Sequence, residues 1–262
     1  MLFMLLVYIN KKYYNKFNED KRLLSRHGQV EFNTTLNYIK KYLKRYKNPK
    51  IADIGAGTGR YSIELSNMGY DVTAVELVKH NLKVLQQKNG NIKAMQGNAL
   101  NLKKLPSECF DLTLLFGPMY HLFTEKEKLQ ALCEAKRITK KCGIILVAYY
   151  MNDYAIIVHG FRDNFIKQSI KNNEIDKTFK IKNNPDRLYS MERLEDIKRY
   201  SKLAQLKRLK MFAPDGASDY IRPVLNKMDD ETFKIFMDYQ LSVCERKELL
   251  GASSHIVDIL KK

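Results

Sequence analysis

Residues 53–60 read Asp-Ile-Gly-Ala-Gly-Thr-Gly-Arg, directly after the apolar residues Ile51 and Ala52. Three glycines so close together permit positive φ and let a ligand approach bare backbone N–H groups where a helix begins. Such a loop requires a strand before it and a helix after it, and so commits this part of the chain to an α/β unit. A dinucleotide fingerprint needs G-x-G-x-x-G, with the third glycine packing helix against strand. Here that place is taken by Arg60 and the extra glycine falls at Gly59. The departure counts against a nicotinamide-dependent oxidoreductase.

The rhythm set by the loop continues from residue 50 to residue 150. Residues 71–76 (DVTAVE), 92–96 (IKAMQ), 111–116 (DLTLLF) and 144–150 (IILVAYY) read as strands, the last two as near-continuous apolar runs typical of buried ones. Helical segments lie between them. Val78, Leu82 and Leu85 share one face. Thr124 and Glu127 form a capping box opening a helix with Leu129, Leu132 and Ile138 inward, and Gly143 is expected to end it. Alternating strands and helices predict a mostly parallel sheet with helices on both faces. Before this core, Thr34 or Thr35 is expected to cap a helix carrying Leu36, Ile39, Leu43 and Tyr46. After it, residues 194–203 read as a helix, 206–213 as a strand, 231–241 as a helix and 254–260 as a closing strand. Residues 151–190 and 214–251 break the rhythm and are expected to form a cap over the site.

Three successive strand ends offer ligand groups, at the edge where open α/β sheets bind ligands. The first is the glycine loop. The second is Glu76, a carboxylate placed to accept hydrogen bonds from ribose hydroxyls. The third is Gly97-Asn98-Ala99, where a polar side chain can meet an adenine edge.

Taken together, these residues resemble the class I S-adenosyl-L-methionine-dependent methyltransferases. Asp53-Ile54-Gly55-Ala56-Gly57-Thr58-Gly59 is similar to that family's first motif, Glu76 to its ribose-binding acid, and Asn98-Ala99 to its adenine contact. Phe110-Asp111-Leu112-Thr113-Leu114-Leu115 resembles its fourth-strand motif. Three segments resemble a bacterial subgroup of small methyltransferases: Arg22 to Gln29 (RLLSRHGQ), Gly117-Pro118-Met119-Tyr120-His121-Leu122, and Gly251-Ala252-Ser253-Ser254-His255. The resemblance implies a Rossmann-like, seven-stranded, mostly parallel sheet with an antiparallel last strand. It implies S-adenosyl-L-methionine as cofactor, held by Asp53, Gly55, Ala56, Gly57, Gly59, Glu76, Leu77, Asn98, Ala99 and Phe116. The expected domain plan is one methyltransferase domain over residues 1–262. In it, residues 1–49 are a helical lid, 50–150 the cofactor-binding core, and 151–190 and 214–251 the cap.

Methyl transfer from a sulfonium is in-line displacement, in which alignment and exclusion of water carry most of the task. A general base is needed only where the nucleophile starts protonated. Tyr120 and His121, aimed by the rigid Gly117-Pro118 turn after the fourth strand, are the catalytic candidates, Tyr120 as a pocket wall and His121 as a base. The Asn-Pro-Pro-aromatic motif of nucleic-acid amino-methylating enzymes is absent from this place. Tyr13 and Tyr14 are candidates for a lid, and Arg22, Arg26, His27 and Gln29 for a polar cluster on the acceptor side. Asn152, Tyr154 and His159 are candidates for facing the acceptor.

Charge and cysteines bound the partners. Lys and Arg number 46 against 29 Asp and Glu, a net charge of +17. The lysines are dispersed along the chain with no run of five basic residues, which reads as solvated surface rather than a nucleic-acid footprint. The expected acceptor is a small molecule, with no specific nucleic acid and no membrane. An RNA methyltransferase and a non-catalytic nucleotide-binding module remain the alternatives. Cys109, Cys133, Cys142 and Cys244 sit at no metal-ligand spacing and suit a reducing cytoplasm, and His27, His80, His121, His159 and His255 form no i, i+4 pair, so no metal is expected. Residues 1–9 are apolar but lack the flanks of a signal peptide, and are far shorter than the roughly 20 residues a membrane helix needs.

Overall fold

The computed structural model describes residues 25–88 and 90–262. Its centre is a seven-stranded sheet built from β1 (Lys50–Ile54), β2 (Asp71–Glu76), β3 (Ile92–Gln96), β4 (Phe110–Leu115), β5 (Thr139–Tyr150), β6 (Lys207–Phe212) and β7 (His255–Lys261). The strand order is β3-β2-β1-β4-β5-β7-β6. β1 to β5 pair in parallel, and β7 runs antiparallel between β5 and β6. This is the expected Rossmann-like, seven-stranded, mostly parallel sheet with helices on both faces.

Helices cover both faces because the central strands are apolar on both sides. On one face, Ala52, Ile54, Leu115, Ile145 and Val147 pack under α4 (Glu125–Ile138) and α5 (Leu194–Leu203), through Leu132, Ala135, Ile138, Ile197 and Tyr200. On the other, Ile51, Val72, Leu112, Leu114, Ile144 and Leu146 pack under α1 (Arg26–Leu43), through Leu36, Ile39 and Leu43, and under Leu65 of α2 (Arg60–Asn67). α3 (Lys79–Gln87) buries Leu82 and Leu85, and α6 (Asp230–Val243) lies against α1.

Two boundaries differ from the sequence reading. α1 begins at Arg26, two turns before Thr34 and Thr35, which sit buried inside the helix instead of capping it. A threonine with its methyl group against apolar neighbours is a core residue as readily as a cap, and periodicity does not distinguish the two. α4 ends at Ile138 and β5 starts at Thr139, four residues before Gly143. Thr139 makes the stop: its hydroxyl bonds the Ala135 carbonyl at 2.7 Å and lies 2.7 Å from the hydroxyl of Thr113 on β4. The capping box of Thr124 and Glu127 forms as expected, although Leu129 is only partly buried.

Residues 152–190 hold short helical turns at Asn152–Ala155, Ile156–Arg162 and Ile166–Lys171, and otherwise irregular chain. They contribute no strand to the sheet. Among the described residues no helix is long and apolar enough to cross a membrane.

Candidate active site

A cavity of about 660 Å³ opens along the C-terminal ends of the parallel strands. That volume is ordinary for a small-ligand site. Its two halves follow from the strand order. The ends of β1, β2 and β3 build one half, and those of β4 and β5 with the start of β7 build the other.

In the first half, the glycine loop folds over the end of β2. The Gly55 and Ala56 N–H groups donate to the Val75 carbonyl at 2.7 and 3.1 Å. The Gly57 N–H donates to one Glu76 carboxylate oxygen at 2.8 Å, and the Val78 N–H to the other at 2.8 Å. Glu76 is therefore the hinge pin of the loop as well as a lining group. Burial raises its pKa, and the two N–H donors partly counter this. Asp53 sits below the loop, 2% exposed, and accepts the Ser62 hydroxyl at 2.5 Å. Burial pushes its carboxyl up to about 6, with the nearby Glu76 charge adding to the rise and Ser62 opposing it.

The glycines divide the work. Gly57, at φ +58°, has open space where a side chain would stand, so the cavity comes up to its backbone. Gly55, at φ +77°, lies so close to Pro118 that a Cβ would come within 2.4 Å of the proline ring, which docks the loop on the turn after β4. Gly59 corrects the sequence reading. It does not line the cavity, and at φ +87° a Cβ there would come within 2.1 Å of Leu85. It is the glycine that lets α2 approach α3, the packing task that the dinucleotide pattern gives to its third glycine. Arg60, freed from that task, lays its guanidinium over the Phe32 ring at 4.3 Å.

Asp53, Gly55, Ala56, Gly57, Glu76, Leu77, Asn98, Ala99 and Phe116 all line the cavity. The Asn98 side-chain oxygen accepts the Leu100 N–H at 3.0 Å, which sets the turn after β3. Asn81 of α3 also lines this half and hydrogen-bonds Glu76, a role that no motif spacing marks.

The second half is walled by rings. Tyr120 and His121 lie on the short 3₁₀ turn Pro118–His121. Tyr150 ends β5, Tyr154 and Tyr189 come from the stretch after it, and His255 opens β7. Tyr150 stands 5.5 Å from Tyr189, 5.9 Å from Tyr154 and 5.3 Å from His255, measured between ring centres, and Tyr120 stands 5.4 Å from His255. His121 turns its Nδ1 to the Leu188 carbonyl at 2.8 Å. A carbonyl only accepts, so Nδ1 carries a proton. Burial, with the Lys128 charge adding to it, lowers its pKa to about 4. That environment holds a neutral, positioned ring, a weaker candidate for a base than the sequence reading expected.

Other candidates separate. Tyr154, His159 and His27 line the cavity. Asn152 does not: it is fully buried, accepting the Ile181 N–H at 2.8 Å and donating to the Phe179 carbonyl at 3.1 Å. Arg26 reaches Asp230 at 2.7 Å and lies over the Phe233 ring, tying α1 to α6. Gln29 is off the lining. Tyr13, Tyr14 and Arg22 lie outside the described residues. Residues the sequence did not mark stand on the lining too: Asp215 and Asp219 follow β6 and face this half, with the Tyr154 hydroxyl on Asp219 at 2.9 Å. The side chains of Glu31, Asp215 and His255 place a nitrogen and carboxylate oxygens within 4.8 Å of one another, a grouping drawn from three distant parts of the chain.

Known proteins place this geometry. Residues 52–147 match a family model described as a methyltransferase domain. Over 127 residues the chain is 26% identical to the glycine/sarcosine N-methyltransferase of Aphanothece halophytica, covering 47% of this chain and 48% of that one. Over 101 residues it is 31% identical to the demethylmenaquinone methyltransferase of Renibacterium salmoninarum, covering 38% and 41%. The chain thus spans about half the length, or less, of the curated relatives it matches. A solved S-adenosylmethionine-dependent methyltransferase from Methanosarcina mazei superposes with a TM-score of 0.57 at 15% identity, over 86% of this chain and 96% of that one.

Proposed function

We infer that the protein transfers a methyl group from S-adenosyl-L-methionine to a small molecule. The observation that carries the reading is the join between the glycine loop and Glu76, which leaves a bare backbone at Gly57 beside a buried carboxylate. The cradle fits the cofactor. Gly57 leaves room for its amino-acid end, Glu76 and Asn81 offer polar groups for a sugar, and Leu77, Ala99 and Phe116 offer apolar walls for a flat base. When bound there, the cofactor supplies a methyl group on an activated sulfonium. The ring-lined half then holds the acceptor and excludes water, which is the main protein task in such a transfer.

The charge of the cavity supports a small acceptor over a polyanion. The chain carries +17, yet among the described residues the lining has six carboxylates against two arginines and no lysine. An RNA backbone seeks the reverse. The test has two parts. Calorimetry with S-adenosylhomocysteine and with NAD should give binding to the first alone. Incubation with methyl-labelled cofactor should move label to small molecules of a metabolite panel and not to total RNA. Salt-steep binding of RNA with transfer of label to it would replace this reading.

A further inference from the structure

His255 and Asp215 form a dyad at the acceptor end of the cavity. The His255 Nδ1 lies 2.7 Å from one Asp215 oxygen, and the other oxygen accepts the His255 backbone N–H at 3.1 Å and the Ser253 hydroxyl at 2.5 Å. The Ser253 hydroxyl in turn accepts the Gly216 N–H at 3.1 Å. Asp215 is thus fixed from several sides, and both side chains are largely buried, at 13% and 5% exposure for His255 and Asp215. A carboxylate gripped this way cannot turn, and it holds the proton of the imidazole on Nδ1. In the neutral ring the lone pair is then on Nε2, and the ring lines the cavity between Tyr120 and Tyr150.

Resting on the methyltransferase reading above, we propose that His255 is the general base of the reaction, that Asp215 is its positioning residue, and that the acceptor is a small molecule whose nucleophilic nitrogen or oxygen arrives protonated. The balance is simple. The bond from the acceptor atom to the methyl carbon forms as the sulfur–carbon bond breaks, and the electron pair of that bond stays on sulfur. The acceptor's proton passes to His255 Nε2, and Asp215 stabilises the imidazolium. The proton then leaves to solvent with the products. A tertiary amine or a thioether has no such proton to lose and would draw no benefit from the base. His121 is less suited to the task, since its Nδ1 faces a neutral carbonyl and burial disfavours its charged form. Among the described residues, the titratable groups around the His255 ring include Asp215 and Asp219 after β6, Glu31 on α1, Tyr120 after β4 and Tyr150 at the end of β5. Asp215 is already committed to three donors, which favours a hydrogen-bonded dyad over a metal ligand at this grouping.

The test uses the full chain with histidine labelled by ¹⁵N, the His255 signals being assigned from His255→Gln. At pH 7.5 with S-adenosylhomocysteine bound, the long-range ¹H–¹⁵N spectrum should show His255 protonated on Nδ1 and not on Nε2. Asp215→Asn should lower the His255 pKa by about one unit or more, the loss of a neighbouring opposite charge. With methyl-labelled cofactor and a probe panel of phenols, imidazoles and primary amines, His255→Gln should cut the maximal rate about 10²-fold or more, leaving S-adenosylhomocysteine affinity within about twofold. A proton on Nε2, an unmoved pKa in Asp215→Asn, or stoichiometric divalent metal in the purified protein each overturns the dyad. So does a His255→Gln variant that keeps half the wild-type rate. If no panel member is methylated, the spectrum decides alone. Failure of the wild type to bind S-adenosylhomocysteine would instead strike the cofactor reading, and the tautomer measured in the free protein then decides for or against the dyad.

Discussion

Lys128 of α4 and Glu192, just before α5, form an ion pair of 3.1 Å whose side chains are 1% and 2% exposed. The ammonium also donates to the Met119 carbonyl at 2.9 Å and the Ser190 hydroxyl at 2.7 Å. Glu192 accepts from the Tyr200 hydroxyl at 2.8 Å and from Asn183 at 3.1 Å. Burial lowers the Lys128 pKa despite its partner. The pair joins the turn that carries Tyr120 and His121 to the stretch that carries Tyr189, so one buried contact sets two walls of the acceptor half.

Breaking that pair from one side leaves a buried carboxylate without its cation. Lys128→Met is expected to cost about 3–5 kcal/mol in urea unfolding, and the double variant Lys128→Met, Glu192→Gln to recover a good part of that. A loss below about 1 kcal/mol for the single variant would mean that the pair does not hold the turn.

Glu76 is expected to act on the cofactor directly and through the loop. Glu76→Ala should weaken S-adenosyl-L-methionine binding by about 1.5–3 kcal/mol, the worth of hydrogen bonds to a charged group. That is roughly ten- to more than a hundredfold in dissociation constant by calorimetry. Gly57→Val should do worse, because its side chain would stand in the open space beside the loop at a positive φ. Unchanged affinity in Glu76→Ala would remove this residue from the site.

Gly59 separates packing from binding. Gly59→Ala meets Leu85 at 2.1 Å and an unfavourable φ of +87°, so unfolding should show a loss of about 1–3 kcal/mol. Cofactor affinity of the folded fraction should change less than in Gly57→Ala, where nothing stands within 4 Å and the ligand side is affected instead. Equal binding losses in both would place Gly59 back on the cavity wall.

The neutral state of His121 gives a pH dependence whose sign is fixed. Its pKa is lowered from 6.5 to about 4, so the unfolded chain takes up the proton first on acidification. The contribution of the buried ring is therefore whole above about pH 6.5 and is lost as pH falls toward 4. Asp53, raised to about 6, works in the opposite sense over part of that range. Comparing wild type with His121→Asn cancels the Asp53 effect. The stability difference between them should shrink by about 2 kcal/mol from about pH 7.5 to about pH 5.0. A constant difference, or an imidazole titrating near its ordinary value by NMR, would show that the ring is not held neutral.

Much of this molecule was legible in its sequence because it depends on neighbours along the chain. Strand runs, the glycine loop, the Thr124 capping box and the acid at the end of β2 are local patterns with period two, period 3.6 or fixed spacing. They determine the α/β alternation and hence which strand ends face the ligand. The places where local reading failed are those where a distant group decides. Thr34 and Thr35 are buried by the sheet rather than used as caps, Thr139 ends α4 by meeting Thr113, and Gly59 serves Leu85 rather than the ligand. The acceptor half is wholly of this kind. His255 and Asp215 are forty residues apart, and Glu31 comes from the first helix, far before both. No periodicity couples residues so far apart. Only the order of strands in the sheet, which sets β7 beside β5 and returns the segment after β6 over the strand ends, brings them to one cavity.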